Sequence, residues 1–113
     1  MGNLTYGPAA KVIAIDDRDL AHLQVVMLAK LRRGEAFAFS WDRSADFGSG
    51  HNTLWIHPST YVEFNFFGSK KIPLNRTWVD ALMKRANSSA GLELISEVDA
   101  EAANRGLVAP APA

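Results

Sequence analysis

The residues best suited to chemistry are three histidines, His22, His51 and His57, and nothing joins them into a set. No His-x-x-x-His spacing links them, and no carboxylate pattern groups them as metal ligands. The chain has no cysteine, so disulfides and thiolate zinc sites are excluded. The stretch "FGSGHN" is glycine-rich, but a phosphate cradle needs a helix N-terminus next, and a strand pattern follows instead. Gly48, Ser49 and Gly50 therefore read as a flexible loop. No Gly-x-Ser-x-Gly elbow is present. The loop from Asp42 to Asn52 is long for a hairpin connection, and such loops often carry function. Asp42, Arg43, Asp46 and His51 are its polar members, and Asp46, Glu63 and His51 form the one conceivable acid–base set. The residues assign no catalytic group, no metal and no cofactor.

The elements that must position any site follow from local pattern. "NLTY" and "KVIAI" read as two strands joined at Gly7-Pro8. Asp16 suits an N-cap, with Ile15 and Leu20 in the hydrophobic-staple positions. Asp17 and Asp19 fall in the first turn of a helix and Arg32 and Arg33 in its last, as the helix dipole favours. Gly34 supplies the stop, so this helix is expected over about Asp17 to Arg33. In "EAFAFSW" large residues alternate with small, giving a strand whose small face can admit a close neighbour. "TLWIH" and "TYVEFNFF" are further strands. Asn75 caps a second helix, with Leu74 and Val79 as staple and Trp78, Val79, Leu82 and Ala86 as its apolar stripe. "LELI" is a last strand. The expected order is ββαβββαβ: an α+β fold with a mostly antiparallel sheet and two helices packed on it. One domain is expected over residues 1–96, and residues 97–113 are expected to be a flexible Ala/Pro-rich tail.

The first helix is unusual. Advancing about 100° per residue, Leu20, Leu23, Met27 and Leu31 cluster on one face, with Gln24 and Leu28 beside them. The opposite face carries His22, Val25, Val26 and Ala29 where polar residues belong. A helix apolar on both sides is usually buried on both sides. Either another part of the chain covers the second face, or a partner does, most simply a second copy in a two-fold dimer. His22, Val25, Val26 and Ala29 are therefore the candidate partner interface.

Two basic groups, Lys30, Arg32 and Arg33 in one and Lys70, Lys71 and Arg76 in the other, both follow element ends. On one edge of the sheet, beside Trp41, Trp55, Tyr61 and Phe67, they would make an aromatic and basic nucleic-acid surface. The RNA-recognition signature on a strand is missing.

Composition bounds these readings. With 113 residues, one domain is the expectation, and 48% hydrophobic with 21% charged residues is the balance of a chain that builds an ordinary core. Twelve basic and twelve acidic side chains cancel, which argues against a surface that is basic throughout. The N-terminus lacks a basic leader and a long apolar run, and no segment approaches the roughly 20 apolar residues of a spanning helix. A cytoplasmic protein without a membrane partner is expected.

The segments "MGNLTYG", "DDRDLAHLQ", "KLRRGEAFAFSW", "LWIHPS", "NRTWVDAL" and "NSSAGLELISE" together resemble a family of small actinobacterial proteins of unknown function. The resemblance covers Met1 to about Glu97. Members often carry the automatic label "ATP-dependent DNA ligase". Nucleotidyl transfer in such ligases needs a lysine nucleophile in a Lys-x-Asp-Gly setting. Lys11, Lys30, Lys70, Lys71 and Lys84 all have other neighbours. The expectation is a non-catalytic interaction module acting through self-association or protein contact. A nucleic-acid-binding accessory protein is the alternative, and a ligase-like enzyme the reading of the label alone.

Overall fold

The N-terminal hairpin forms where the turn signal lies. β1 (Gly2–Tyr6) and β2 (Lys11–Ile15) pair antiparallel, with Leu4 opposite Ile13. Gly7 takes φ +83° and its carbonyl accepts the Ala10 N–H at 3.0 Å, closing the turn. The computed structural model describes residues 2–42 and 51–105. The remaining elements are α1 (Asp17–Arg32), β3 (Phe37–Asp42), β4 (His51–Ile56), β5 (Val62–Asn65), α2 (Arg76–Ala86), β6 (Leu92–Glu93) and α3 (Glu97–Asn104).

α1 starts and stops on the expected signals. The Asp16 carboxylate accepts the Arg18 N–H at 3.2 Å. At the other end Gly34, at φ +76°, donates its N–H to the Leu31 carbonyl at 2.9 Å. Arg33 is the cap rather than the last helical residue, a shift within ordinary boundary scatter. α2 is capped by Asn75, whose side chain accepts the Trp78 N–H at 3.3 Å.

The α+β class holds, with two differences in architecture. First, there are two three-stranded sheets among the described residues, ordered β2-β1-β5 and β4-β3-β6. β3 and β4 pair antiparallel, but β3 and β6 run parallel. β5 pairs with β1 rather than with its sequence neighbour β4. The Tyr6 hydroxyl ties the two sheets together, donating to the Trp55 carbonyl at 2.7 Å and accepting the His57 N–H at 3.2 Å. Second, the expected tail is a helix over Glu97–Asn104. Ser96 caps it by accepting the Asp99 N–H at 3.1 Å, and Ala100 is buried. Residues 106–113 of that tail lie outside the described residues, as do Arg43, Asp46 and the Gly48 to Gly50 stretch.

One core joins the layers. Leu4, Ile13 and Ile15 of the first sheet meet Leu20, Leu23, Val26 and Met27 of α1, which meet Trp78, Leu82 and Ala86 of α2. Phe37, Phe39, Ile56 and Leu92 contribute the second sheet. The small face of β3 does admit a close neighbour: a Cβ built on Gly91 would lie 2.8 Å from the Cβ of Ala38. α1 and α2 run in the same direction, since His22 bonds to Asn75 at the start of α2 and Lys30 to Asn87 at its end.

Candidate functional site: the groove between the first two helices

The second apolar face of α1 splits along its length. Val26 is 0% exposed and His22 is 0% exposed. Both are covered within the chain, so neither can meet a partner, and the assignment of these two residues to an interface is corrected. Val25 is 37% exposed and Ala29 is half-buried. Leu28, placed beside the core face by the wheel, is 39% exposed. Rotation about the helix axis explains the split: α2 packs on the flank holding His22 and Val26, and its far edge leaves Val25 at a margin.

That margin is a groove. Val25 of α1 faces Leu74, Val79 and Met83, with Arg76 and Asp80 on the rim, around a cavity of ≈ 380 Å³. Both staple positions at the start of α2 line it. Leu74 precedes the Asn75 cap and Val79 lies in the next turn, so the pairing that fixes chain entry also lines the groove with apolar atoms. Arg76 and Asp80 pair at 3.5 Å across one helical turn. Both are strongly exposed, so the pair adds little stability and chiefly gives the groove a polar edge.

His22 is absorbed into a polar seam at the start of both helices. The Asn75 N–H donates to its Nε2 at 2.8 Å. Nδ1 therefore carries the proton and donates to the Arg18 carbonyl at 2.7 Å. The ring lies against Trp78 with centroids 4.2 Å apart. Arg18 in turn holds Glu97 with two parallel hydrogen bonds, Nε to Oε1 at 2.9 Å and Nη2 to Oε2 at 2.7 Å. Asn75 Nδ2 donates to Glu97 Oε2 at 2.7 Å and to Glu101 Oε1 at 2.9 Å. These charge-assisted bonds, from Arg18 first and Asn75 next, hold the Glu97 carboxyl down at about 2. The sequence signal for α3 was the run Ser96-Glu97-Val98-Asp99, a capping box before Ala-rich residues.

The two basic groups are not brought together. Lys30 is buried, with Nζ 2.9 Å from Asn87 Oδ1 and 2.8 Å from Glu35 Oε1. It closes the helix end and is unavailable to a phosphate, which corrects its place among the nucleic-acid candidates. Arg32 and Arg33 are exposed beyond it, at the C-terminal end of α1. Lys70 and Lys71 follow Gly68, whose N–H is held at 2.9 Å by Asp17 at the opposite end of the helix. Arg76 also belongs to that end, beside Asn75. The two groups are thus separated by the length of α1, roughly 24 Å at about 1.5 Å rise per residue. The expected shared edge is not formed.

A model of a domain of unknown function, DUF7882, matches residues 1–97. The chain belongs to that family. No curated protein and no solved structure matches it. The family's domain thus covers both sheets, α1 and α2, and stops where α3 begins.

Within this DUF7882 domain the remaining chemistry-bearing residues stay apart. His57 Nδ1 accepts the Ser59 N–H at 3.1 Å and shapes the turn after β4. Glu63 accepts the Tyr61 hydroxyl at 2.8 Å on the first sheet, whereas His51 begins β4 on the second. Among the described residues, no group of three or more His, Cys, Asp or Glu side chains could hold a metal. No described helix is long and apolar enough to cross a membrane.

Proposed function

We propose that the protein is an interaction module that works through the α1–α2 groove, most simply by meeting a second copy of itself. The observation that supports this is the groove's lining: exposed Val25 and Leu74 beside half-buried Val79 and Met83, with the charged pair Arg76–Asp80 also lining it. An apolar centre with a polar rim is the usual anatomy of a protein contact. Leu28 and Ala29 extend the apolar strip along α1. A two-fold arrangement would set each Val25 against the other copy's groove and close both at once.

Light scattering over a range of concentrations tests this. The wild-type mass should rise with concentration, and Val25→Asp should return it to the monomer. A monomer mass for both proteins at every concentration ends self-association as the function. Nucleic acid is the competing partner. It needs Arg32, Arg33, Lys70, Lys71 and Arg76 to act from two ends of a helix, and salt-sensitive retention on heparin abolished by Lys70→Ala with Lys71→Ala would favour it. For a ligase-like reaction the chain offers no Lys-x-Asp-Gly nucleophile.

A further inference from the structure

The seam that holds α3 is separate from the groove and has its own logic. α3 has 8 residues, too few for a helix to hold itself in water. Its order comes from docking, and what docks is small. Ala100 is its buried residue, while Val98 faces solvent. Ala100 joins the common core, Ala102 and Ala103 are half-buried, and two carboxylates add polar attachment, Glu97 on Arg18 and Asn75, and Glu101 on Asn75.

On the other side of the seam the groups are fixed by bonds that do not involve α3. Asn75 is held through its N–H by His22 and through Oδ1 by the Trp78 N–H. Arg18 Nη1 donates to the Pro73 carbonyl at 3.2 Å. Trp78 Nε1 donates to the Ile95 carbonyl at 2.9 Å, just before the chain enters α3. The chain is pinned up to Ile95, and exposed Ser96 is the joint.

Charge at this corner pulls both ways, and the Arg18–Glu97 pair is the part that favours closure. Asp16, Asp19, Glu97 and Glu101 crowd this corner, opposed by Arg18 and by Arg105, which lies 3.6 Å from Glu101. Burial and then the neighbouring Asp16 carboxylate push the Asp19 carboxyl above its ordinary value. The family match, residues 1–97, takes in only the first residue of α3.

We propose that α3 is a releasable strap. It closes over an acceptor formed by Arg18 and Asn75 beside the His22–Trp78 stack. That acceptor takes a short helix with two glutamates one turn apart and a small residue between them, and the α3 of a second copy is such a helix. Release leaves the acceptor assembled, because its own bonds persist.

Hydrogen exchange on the wild-type full chain reads the first part: α3 amides should exchange while those of α1 and α2 stay protected. The second part is read with a fluorescent peptide spanning Ser96 to Arg105. Full-length Ala100→Asp cannot seat its own strap and should bind the peptide about tenfold tighter or more than wild type, whose acceptor is mostly occupied. Adding Arg18→Ala should remove that binding. If Ala100→Asp does not fold, Glu97→Lys opens the strap from a part-exposed position by facing Arg18 with a like charge, and meets the same comparison. α3 amides that exchange in step with α1, or peptide binding no stronger in the opened variant than in wild type, overturn the proposal.

Discussion

Val25 and Val26 are neighbours in sequence with identical side chains, yet Val26 is sealed in the core and Val25 stands at the mouth of the groove. A turn of about 100° around the helix axis separates them. The apolar second face of α1 therefore serves two purposes, anchoring α2 on one flank and leaving an open strip on the other. Aspartate substitution should separate the two most sharply. Val26→Asp buries an unpaired charge and should cost about 4 kcal/mol or more, enough to unfold a marginal domain. Val25→Asp should move the stability of the monomer, measured at concentrations below self-association, by no more than about 0.5 kcal/mol. Urea unfolding monitored by tryptophan fluorescence measures both, and equal losses would mean that the two valines share one environment.

The same contrast extends to the polar residues of α1. His22 is enclosed and has both ring nitrogens engaged, whereas Arg32 is exposed at the far end. His22→Ala removes the acceptor of the Asn75 N–H and the ring packed on Trp78. A buried donor left unpaired costs about 1–3 kcal/mol, and the cavity adds to it, so a loss of about 3 kcal/mol is expected. Arg32→Ala should stay within about 0.5 kcal/mol. A His22→Ala protein as stable as the wild type would show that the seam does not need its acceptor.

Two glycines give a finer comparison of covered and open backbone. Gly91 and Gly34 both have positive φ, +88° and +76°. An added Cβ at Gly34 meets nothing within 4 Å, while at Gly91 it meets Ala38 at 2.8 Å. Gly34→Ala should cost about 1 kcal/mol from the left-handed conformation alone. Gly91→Ala should cost about 1–3 kcal/mol more, because β3 must also shift. The difference between their unfolding free energies measures how tightly Gly91 is pressed onto β3.

What the sequence could disclose divides along the line between local and distant causes. Asp16, Gly34 and Asn75 mark their helix ends through bonds to near neighbours, and those ends are where the signals put them. The alternation of Phe37 and Phe39 with Ala38 and Ser40 identifies both the core face of β3 and the face that accepts Gly91. The division into two sheets was not legible, because β5 chooses β1 through pairing across more than half of the chain. The fate of His22 was hidden for the same reason: its acceptor nitrogen is matched by an amide 53 residues away. Of the groove, Val25 could be named from the wheel, Leu74 as a staple residue, and Val79 as both a staple and a stripe residue. That these three line one groove depends on the parallel packing of α1 and α2. α3 lacks an apolar stripe, and its carboxylates look like solvated charge until Arg18 is placed against them.

The smallest effect expected concerns that last contact, and its sign follows from linkage. Bonds from Arg18 and then Asn75 lower the Glu97 carboxyl from its ordinary value of 4.5 to about 2 in the folded chain. A group with a depressed folded value adds stability above its unfolded value, and the gain disappears as pH falls through the folded value. The docking of α3 should therefore be unchanged from neutral pH down to about 4.5 and should weaken between about 4.5 and about 2. The groups facing Glu97 are Arg18 and Asn75, with Asp16, Asp19, His22 and Glu101 around them; Arg18, raised above its ordinary value first by its bond to Glu97, stays charged over this range. Asp17 is lowered as well, by the Gly68 and Phe67 amides, and acid should loosen that loop in the same direction. Amide signals tell the two apart. Glu97→Gln should abolish the acid transition seen at α3 while leaving the one at Phe67 and Gly68 in place. If α3 amides in this variant still broaden over the same range, the helix is held by something other than the Glu97 carboxylate.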